Sequence, residues 1–327
     1  MIDAGVNEVL DSRFIAIAGD LSKPLLGMDD LQFKSLALEI DSIIHCGAEV
    51  NLIKPYSSLK ESNVMGTQEV LRLATTNGFV KTKVKPVHYV STNGIFPVDA
   101  AAYSIDCAKK QPSVHVKEDV DIDRFSPFLS EGYAMTKWVA ERMCAVAESR
   151  GLPVSILRPG NLAGSSHSGV SNTDDFNYLL LQGILETSCA PIIDTNYALD
   201  LTPVDFAAKA LIQLVVRSPQ SVIGQRIHLQ SPHKPVALKK VVEWLNSERR
   251  SMGVSQIESV TRAEWMERIA LTNLKLSSGW LSFEKYFEAC MWLEMDSDNL
   301  QQALKGSFIE CPNFDITLLK KWFQMSP

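Results

Sequence analysis

The chain has 327 residues, 46% hydrophobic and 21% charged, with a formal net charge of -6 at pH 7, enough apolar material for one large or two modest domains. A mildly acidic chain without a long basic run is a poor partner for nucleic acid, and no apolar run reaches transmembrane length. Met1 to Glu8 lacks the basic-then-apolar order of a signal peptide.

In chain order, short apolar runs alternate with longer helical patterns. Phe14 to Ala18, Ser42 to His45, Val87 to Val90, Val154 to Leu157 and Arg226 to Leu229 read as strands. Asp29 to Ile40, Ser57 to Thr76 and Gly132 to Ser149 read as helices, with Gly78 and Gly151 placed after the last two as left-handed stops. This alternation predicts βαβ units and a parallel sheet covered on both faces. In the second helix Asn63 lies on the apolar face of Leu59, Gly66, Val70 and Leu73. It is either an ordinary satisfied core amide or a brace for the neighbouring helix. Asn161 to Asp175 reads as a loop. Thr202, Pro203 and Asp205 mark the start of an apolar helix through Val216, with Thr202 as its cap. Beyond Ser231 the chain turns helical and aromatic, with Trp244, Trp265, Trp280, Trp292 and Trp322 expected in the core and a capping box at Thr261 to Glu264. Six dispersed cysteines form no Cys-x-x-Cys pair and no zinc spacing with histidine, so they read as reduced thiols of a cytoplasmic protein, and no metal site is expected.

The chemistry is concentrated in Gly132-Tyr133-Ala134-Met135-Thr136-Lys137. Tyr133 and Lys137 stand one helical turn apart on one face. A nearby ammonium lowers a phenol's pKa from about 10 and makes it a better proton donor, as carbonyl reduction requires. Tyr56 and Lys60 have the same spacing. Context separates the pairs, because Tyr133 follows the hydroxyl-ended run Val87-His88-Tyr89-Val90-Ser91-Thr92 and precedes Leu157-Arg158-Pro159-Gly160.

Ile43 to Asn51, Asn63 to Thr67, Val90 to Thr92, Tyr133 to Lys137, Leu157 to Asn161 and Pro203 to Asp205, in that order and with Gly19-Asp20-Leu21 upstream, resemble the extended short-chain dehydrogenase/reductases. More narrowly, they resemble the thioester reductase domains of nonribosomal peptide and polyketide synthetases and carboxylic acid reductases. The resemblance implies a Rossmann-type α/β fold with a smaller helical substrate domain, divided as 1–164 with 199–231 and 165–198 with 232–327. It implies that Thr92 holds the substrate oxygen, with Ser91 as rival, that Tyr133 protonates it, and that Lys137 binds the nicotinamide ribose and tunes Tyr133. Asp20 and Leu21 would contact adenine. His45, Cys46, Gly47 and Ala48 would line the cofactor, joined by Asn63, and Pro159, Gly160 and Asn161 would border the nicotinamide. The implied reaction is NADPH-dependent reduction of a phosphopantetheine-bound acyl thioester on a carrier protein to an aldehyde, or onward to the alcohol. The rivals are a non-catalytic remnant or binding protein, an acyl-CoA reductase and a nucleotide-sugar epimerase.

One motif is missing. No G-x-G-x-x-G or G-x-x-G-x-x-G turn occurs, and that turn is what lets backbone amides approach a pyrophosphate. Phe14 to Asp20 resembles the family's third strand, so the chain is expected to start inside the domain. A truncated gene model or fragment is favoured over a chain completed by a partner or a decayed relative. Without its sheet neighbours Phe14 to Ala18 must detach or pair directly with the next strand. The isolated polypeptide is expected to bind dinucleotide poorly.

Overall fold

The computed structural model describes residues 14–77, 83–105, 113–193, 197–274, 287 and 291–324. At its centre is a four-stranded sheet of β1 (Ile43–His45), β2 (Val87–Val90), β3 (Val154–Pro159) and β4 (Arg226–Leu229), adjacent in that order and parallel throughout. Ile43 pairs with Val87, Val87 with Val154, and Ile156 with Arg226. Near-continuous apolar strands are what a sheet buried on both faces requires. Alternation along the strands divides the core. Val87, Tyr89, Val154 and Ile156 pack under Val70, Ala74, Ala140 and Cys144. Leu157, Ile227 and Leu229 pack with Phe206, Ala210, Leu214 and Leu300. The expected α/β architecture is therefore present.

Helix α1 is Asp30–Glu39, capped by Asp29, whose carboxylate accepts from the amides of Leu31 and Gln32. Helix α2 starts as Tyr56–Lys60, widens to a π turn over Glu61–Met65 and continues as Gly66–Thr75. Helix α3 is Gly132–Ser149 and ends against Gly151, whose φ of +95° is the left-handed stop the sequence predicts. Gly78 lies outside the described residues. Helix α4 is Val204–Ile212, continued by a π turn over Gln213–Arg217. A second core, built around Leu180, Ile184, Leu245, Trp265, Ile269 and Trp322, belongs to the later part of the chain. Its Thr261–Glu264 capping box forms as expected. Trp244 packs against this core; Trp280 lies outside the described residues. No helix among the described residues is long and apolar enough to cross a membrane.

Three local expectations need correction. Phe14 to Ala18 forms no strand: it runs exposed, with Ile15 82% accessible, and β1 pairs only with β2 among the described residues. Of the two fates open to it, it takes detachment. Asn161–Ala163 is not loop but a short strand paired in parallel with Leu201–Pro203. That pairing also moves the helix start, because Thr202 lies in the partner strand and its hydroxyl accepts from Ser231 N at 2.8 Å. Thr202 cannot then cap α4, which begins at Val204 after Pro203, without a side-chain cap.

Candidate active site

Because the four strands are parallel, their carboxyl ends share one edge, where open α/β sheets bind ligands. β1 delivers Cys46, Gly47 and Ala48 there, β2 delivers Ser91 and Thr92, and β3 delivers Pro159, Gly160 and Asn161. The 3-10 turn Asn93–Ile95 packs against α3, the helix of Tyr133 and Lys137.

The two candidate hydroxyls are treated differently. Ser91 is buried and donates to Glu141 Oε2 at 2.7 Å. Thr92 is half-buried, and its oxygen caps the next turn by accepting from Gly94 N at 3.0 Å. The Thr92 hydroxyl proton makes only a long contact, 3.5 Å, with Asn93 Oδ1, whereas that of Ser91 is committed to Glu141 at 2.7 Å. Glu141 is itself held by Arg158, whose Nη2 donates to Oε1 at 2.6 Å and whose Nε donates to the same oxygen at 3.1 Å. Both side chains are 2% exposed. Arg158 also donates through Nη1 to Glu118 O and lies over the Phe96 ring. Glu141 stands one turn beyond Lys137, so a single buried pair ties β3, the end of β2 and α3 together.

His228 completes this network. Arg158 Nη1 lies 3.3 Å from His228 Nε2, and His228 Nδ1 lies 2.7 Å from Asp296 O. A guanidinium only donates, so Nε2 is the acceptor and Nδ1 carries the proton. Burial, reinforced by Arg158, pushes the His228 pKa down to about 3. Glu118 accepts from the amides of His228 and Asn299, and burial nevertheless pushes its carboxyl up to about 6.

Lys137 corrects an expectation. Its ammonium donates to Val90 O at 2.7 Å and sits 4.2 Å above the Tyr89 ring, a cation–π contact. It does not lower the Tyr133 pKa. Burial pushes the phenol up to about 12. Burial, only partly offset by neighbouring acidic groups, pushes the ammonium down to about 8. In this state the phenol is a neutral proton store. Gly132 allows α3 its close approach, since a Cβ there would meet Tyr56 N at 2.5 Å. Tyr56 thus marks a packing contact, and Lys60, its i+4 partner, is exposed.

Asn63 makes three hydrogen bonds. Its Oδ1 accepts from Glu49 N at 2.7 Å, and its Nδ2 donates to Glu49 O and to Thr136 Oγ1, both at 3.0 Å. Both sequence readings meet here: the amide is satisfied, and it joins the loop after β1 to α3. The contact on α3 is a side-chain hydroxyl.

The His45 side chain is buried and packs beside Gly47 and the Tyr89 ring. Its Nε2 is 3.1 Å from Thr67 Oγ1, whose own proton goes to Asn63 O. Nε2 is therefore the protonated nitrogen, and burial pushes the pKa down to about 4. Asp20 is tied into its own turn, accepting from Ser22 N and Oγ, which holds its carboxyl below the usual range. Leu21 lies against Gly47 and Gly66, where a Cβ would come within 2.7 Å of its Cδ1 and 2.8 Å of its oxygen respectively. Sequence reasoning missed Glu141, Arg158 and His228. The one available signal was that Glu141 follows Lys137 by four residues on the same face.

Thr92 and Pro159 to Asn161 lie at this edge, and Tyr133 and Lys137 lie on the helix that packs against the turn after Thr92. No described residue provides a glycine-rich turn at a helix N-terminus.

Residues 2–211 match the NAD-binding family described as Male sterility protein. The chain is 35% identical over 263 residues to a linear gramicidin synthase of Brevibacillus parabrevis, covering 80% of this chain and 5% of that protein. It is 33% identical over 203 residues to the L-2-aminoadipate reductase large subunit of Candida glabrata, covering 62% of this chain and 14% of that one. The chain thus spans a small part of these curated relatives. The terminal R domain of the myxalamid PKS-NRPS pathway superposes with a TM-score of 0.77 at 34% identity, covering 94% of this chain and 73% of that domain. A UDP-glucuronic acid 4-epimerase from Bacillus cereus, solved with NAD, superposes with a TM-score of 0.61 at 18% identity and so shares the fold alone. With the family matched over most of the chain and a terminal R domain matched over most of its length, this chain belongs to the NAD-binding Male sterility protein family and is homologous to terminal R domains.

Proposed function

We propose that the chain is the reducing module of an NADPH-dependent thioester reductase, acting on an acyl group carried by the phosphopantetheine of a carrier protein and releasing it as an aldehyde. The observation that carries this reading is the division of labour between Ser91 and Thr92: Glu141 takes the first hydroxyl, and the second remains beside the helix of Tyr133 and Lys137. Homology to a terminal R domain and to proteins named as reductases supports it. The same fold occurs in a thiolation-reductase di-domain from an archaeal non-ribosomal peptide synthetase, which favours a carrier protein as the partner.

The cofactor, when bound, provides the hydride. The residues of this chain do the rest. Thr92 donates to the carbonyl oxygen and holds it in the plane of the edge. Tyr133, kept neutral by burial, donates its proton as negative charge grows on that oxygen. Lys137 lies one turn along α3, and turning its ammonium from Val90 O toward Tyr133 and the ribose would stabilise the resulting phenolate. Collapse of the hemithioacetal expels the pantetheine thiol and leaves the aldehyde. Pro159, Gly160 and Asn161 would border the nicotinamide, and Asp20 and Leu21 the adenine. Cys46, Gly47 and Ala48 would line the path between them, with Asn63 holding the loop after β1. We place this activity in the cytoplasm.

The test is NADPH oxidation with a carrier-bound acyl thioester, an acyl-CoA and a nucleotide sugar at matched concentrations. Preference for the carrier-bound thioester is expected. Turnover confined to acyl-CoA or to the sugar would refute the assignment.

A further inference from the structure

Alternation along β2 turns Val87 and Tyr89 toward α2 and α3. Tyr89 sits mid-sheet, paired with His45 on one side and Ile156 on the other, and is fully buried. Lys137 reaches it from α3, with Nζ 4.2 Å from the ring centroid. The lysine is 3% exposed, so water hardly touches its charge. An ammonium has three donors. Among the described residues one hydrogen bond serves them, to Val90 O at 2.7 Å.

No carboxylate among the described residues pairs with this cation. Glu141 lies one turn along α3 and acts on Lys137 across space, but its oxygens are taken by Ser91 and Arg158. The other titratable groups around the ammonium are neutral at pH 7. On α3, burial pushes the Tyr133 phenol and the Cys144 thiol up to about 12. Just past β1, burial raises the Cys46 thiol, and on β1 it pushes His45 down to about 4. A buried charge without a partner is costly. The face of an aromatic ring carries negative potential, and its attraction for a cation grows where water is absent.

We infer that Tyr89 is a positioning residue for Lys137: its ring face holds the ammonium as a cation at the carboxyl end of β2. Val90 O fixes the direction of one N–H, and the ring offsets the charge. A carboxylate in that place would bind the ammonium directionally. A ring face attracts it without dictating where each N–H points, so the ammonium is free to exchange Val90 O for another acceptor. The role of Tyr89 in the reaction rests on the thioester reductase reading, in which a charged Lys137 stabilises the phenolate of Tyr133. Its hold on Lys137 does not.

The test is a pH titration of Lys137 in the whole chain without cofactor, followed by NMR of isotope-labelled lysine, with the signal assigned by its loss in Lys137→Met. Tyr89→Phe keeps the ring and should leave the midpoint in place. Trifluorophenylalanine at position 89 nearly keeps the shape but removes most of the negative potential of the face. It should lower the midpoint by about one pH unit, a roughly tenfold change in proton affinity. The monofluorinated ring, closest in shape, should give part of that fall. Looser packing has the opposite sign, because entering water would raise the midpoint toward the ordinary 10.5. A midpoint unchanged or raised by the fluorinated rings overturns the inference, as does an equal fall with Tyr89→Phe. The expected fall, in a chain that shows no preference for the carrier-bound thioester, would fault the reductase reading and leave Tyr89 as the residue that holds Lys137.

Discussion

The β2–β3–α3 side of the edge and the segment that precedes β1 are built in opposite ways. On the first, nearly every polar group is fixed twice. Glu141 holds Ser91 and Arg158, Arg158 holds Glu118 O and His228, and Lys137 holds Val90 O. On the second, Phe14, Ile15 and Ile17 lie exposed, and Asp20 is tied mainly to its own turn. The contrast teaches that the β2–β3–α3 side is organised around one buried ion pair. A buried ion pair is weak evidence for net stability, but removing one partner strands the other. It therefore locks three elements in one arrangement.

The contrast can be broken most sharply at the buried pair. Glu141→Ala leaves Arg158 uncompensated and should destabilise the chain by about 3–5 kcal/mol, read by urea unfolding. Glu141→Leu with Arg158→Met should recover much of that loss, since apolar replacement of both partners is often neutral. A single variant costing less than about 1 kcal/mol would mean that the network does not lock the fold.

The next effect is catalytic. In a version of the chain fused to a glycine-rich phosphate-binding turn, Tyr133→Phe should lower turnover of NADPH about 100-fold or more, the scale of a lost general acid. Tyr56→Phe should leave the chemical step nearly unchanged, and equal losses would count against Tyr133.

Acid should act mainly through buried histidine. The folded-state pKa values of His45 and His88 lie at about 4 and that of His228 at about 3, all below the ordinary 6.5. Between these values and 6.5 the unfolded chain binds more protons, so stability falls as pH drops through this window. Glu118, raised to about 6, works the other way between 4.5 and 6. Unfolding at pH 7, 5.5 and 4.5 should show a net loss with acid, and His88→Gln should flatten it. An unchanged slope would exclude His88 as a contributor.

The smallest effect sharpens the comparison from the other side. Ile15→Ser should change stability by less than about 0.5 kcal/mol, as for exposed positions away from special features. A cost near 2 kcal/mol would reveal packing of the segment before β1 comparable with a core contact.

The sequence by itself determined the elements whose local pattern agrees with their environment. The strands at Val87, Val154 and Arg226, the helix from Gly132 to Ser149 with Gly151 as its stop, and the Thr261 capping box are all legible in it. Periodicity, β-branching and capping chemistry are encoded within a few residues. Tyr133 and Lys137 were legible as candidates through their spacing, and Thr92 through the family resemblance. Only the tertiary structure decided what their neighbours do. It assigned Ser91 to Glu141, turned Lys137 toward Val90 O, buried His45 against Thr67 and moved Thr202 from helix cap to strand. These outcomes depend on partners 20 to 50 residues away in the chain, and on which of two competing hydrogen bonds the packed interior leaves within reach. A short motif does not encode that competition, because burial sets it and burial is a property of the assembled fold.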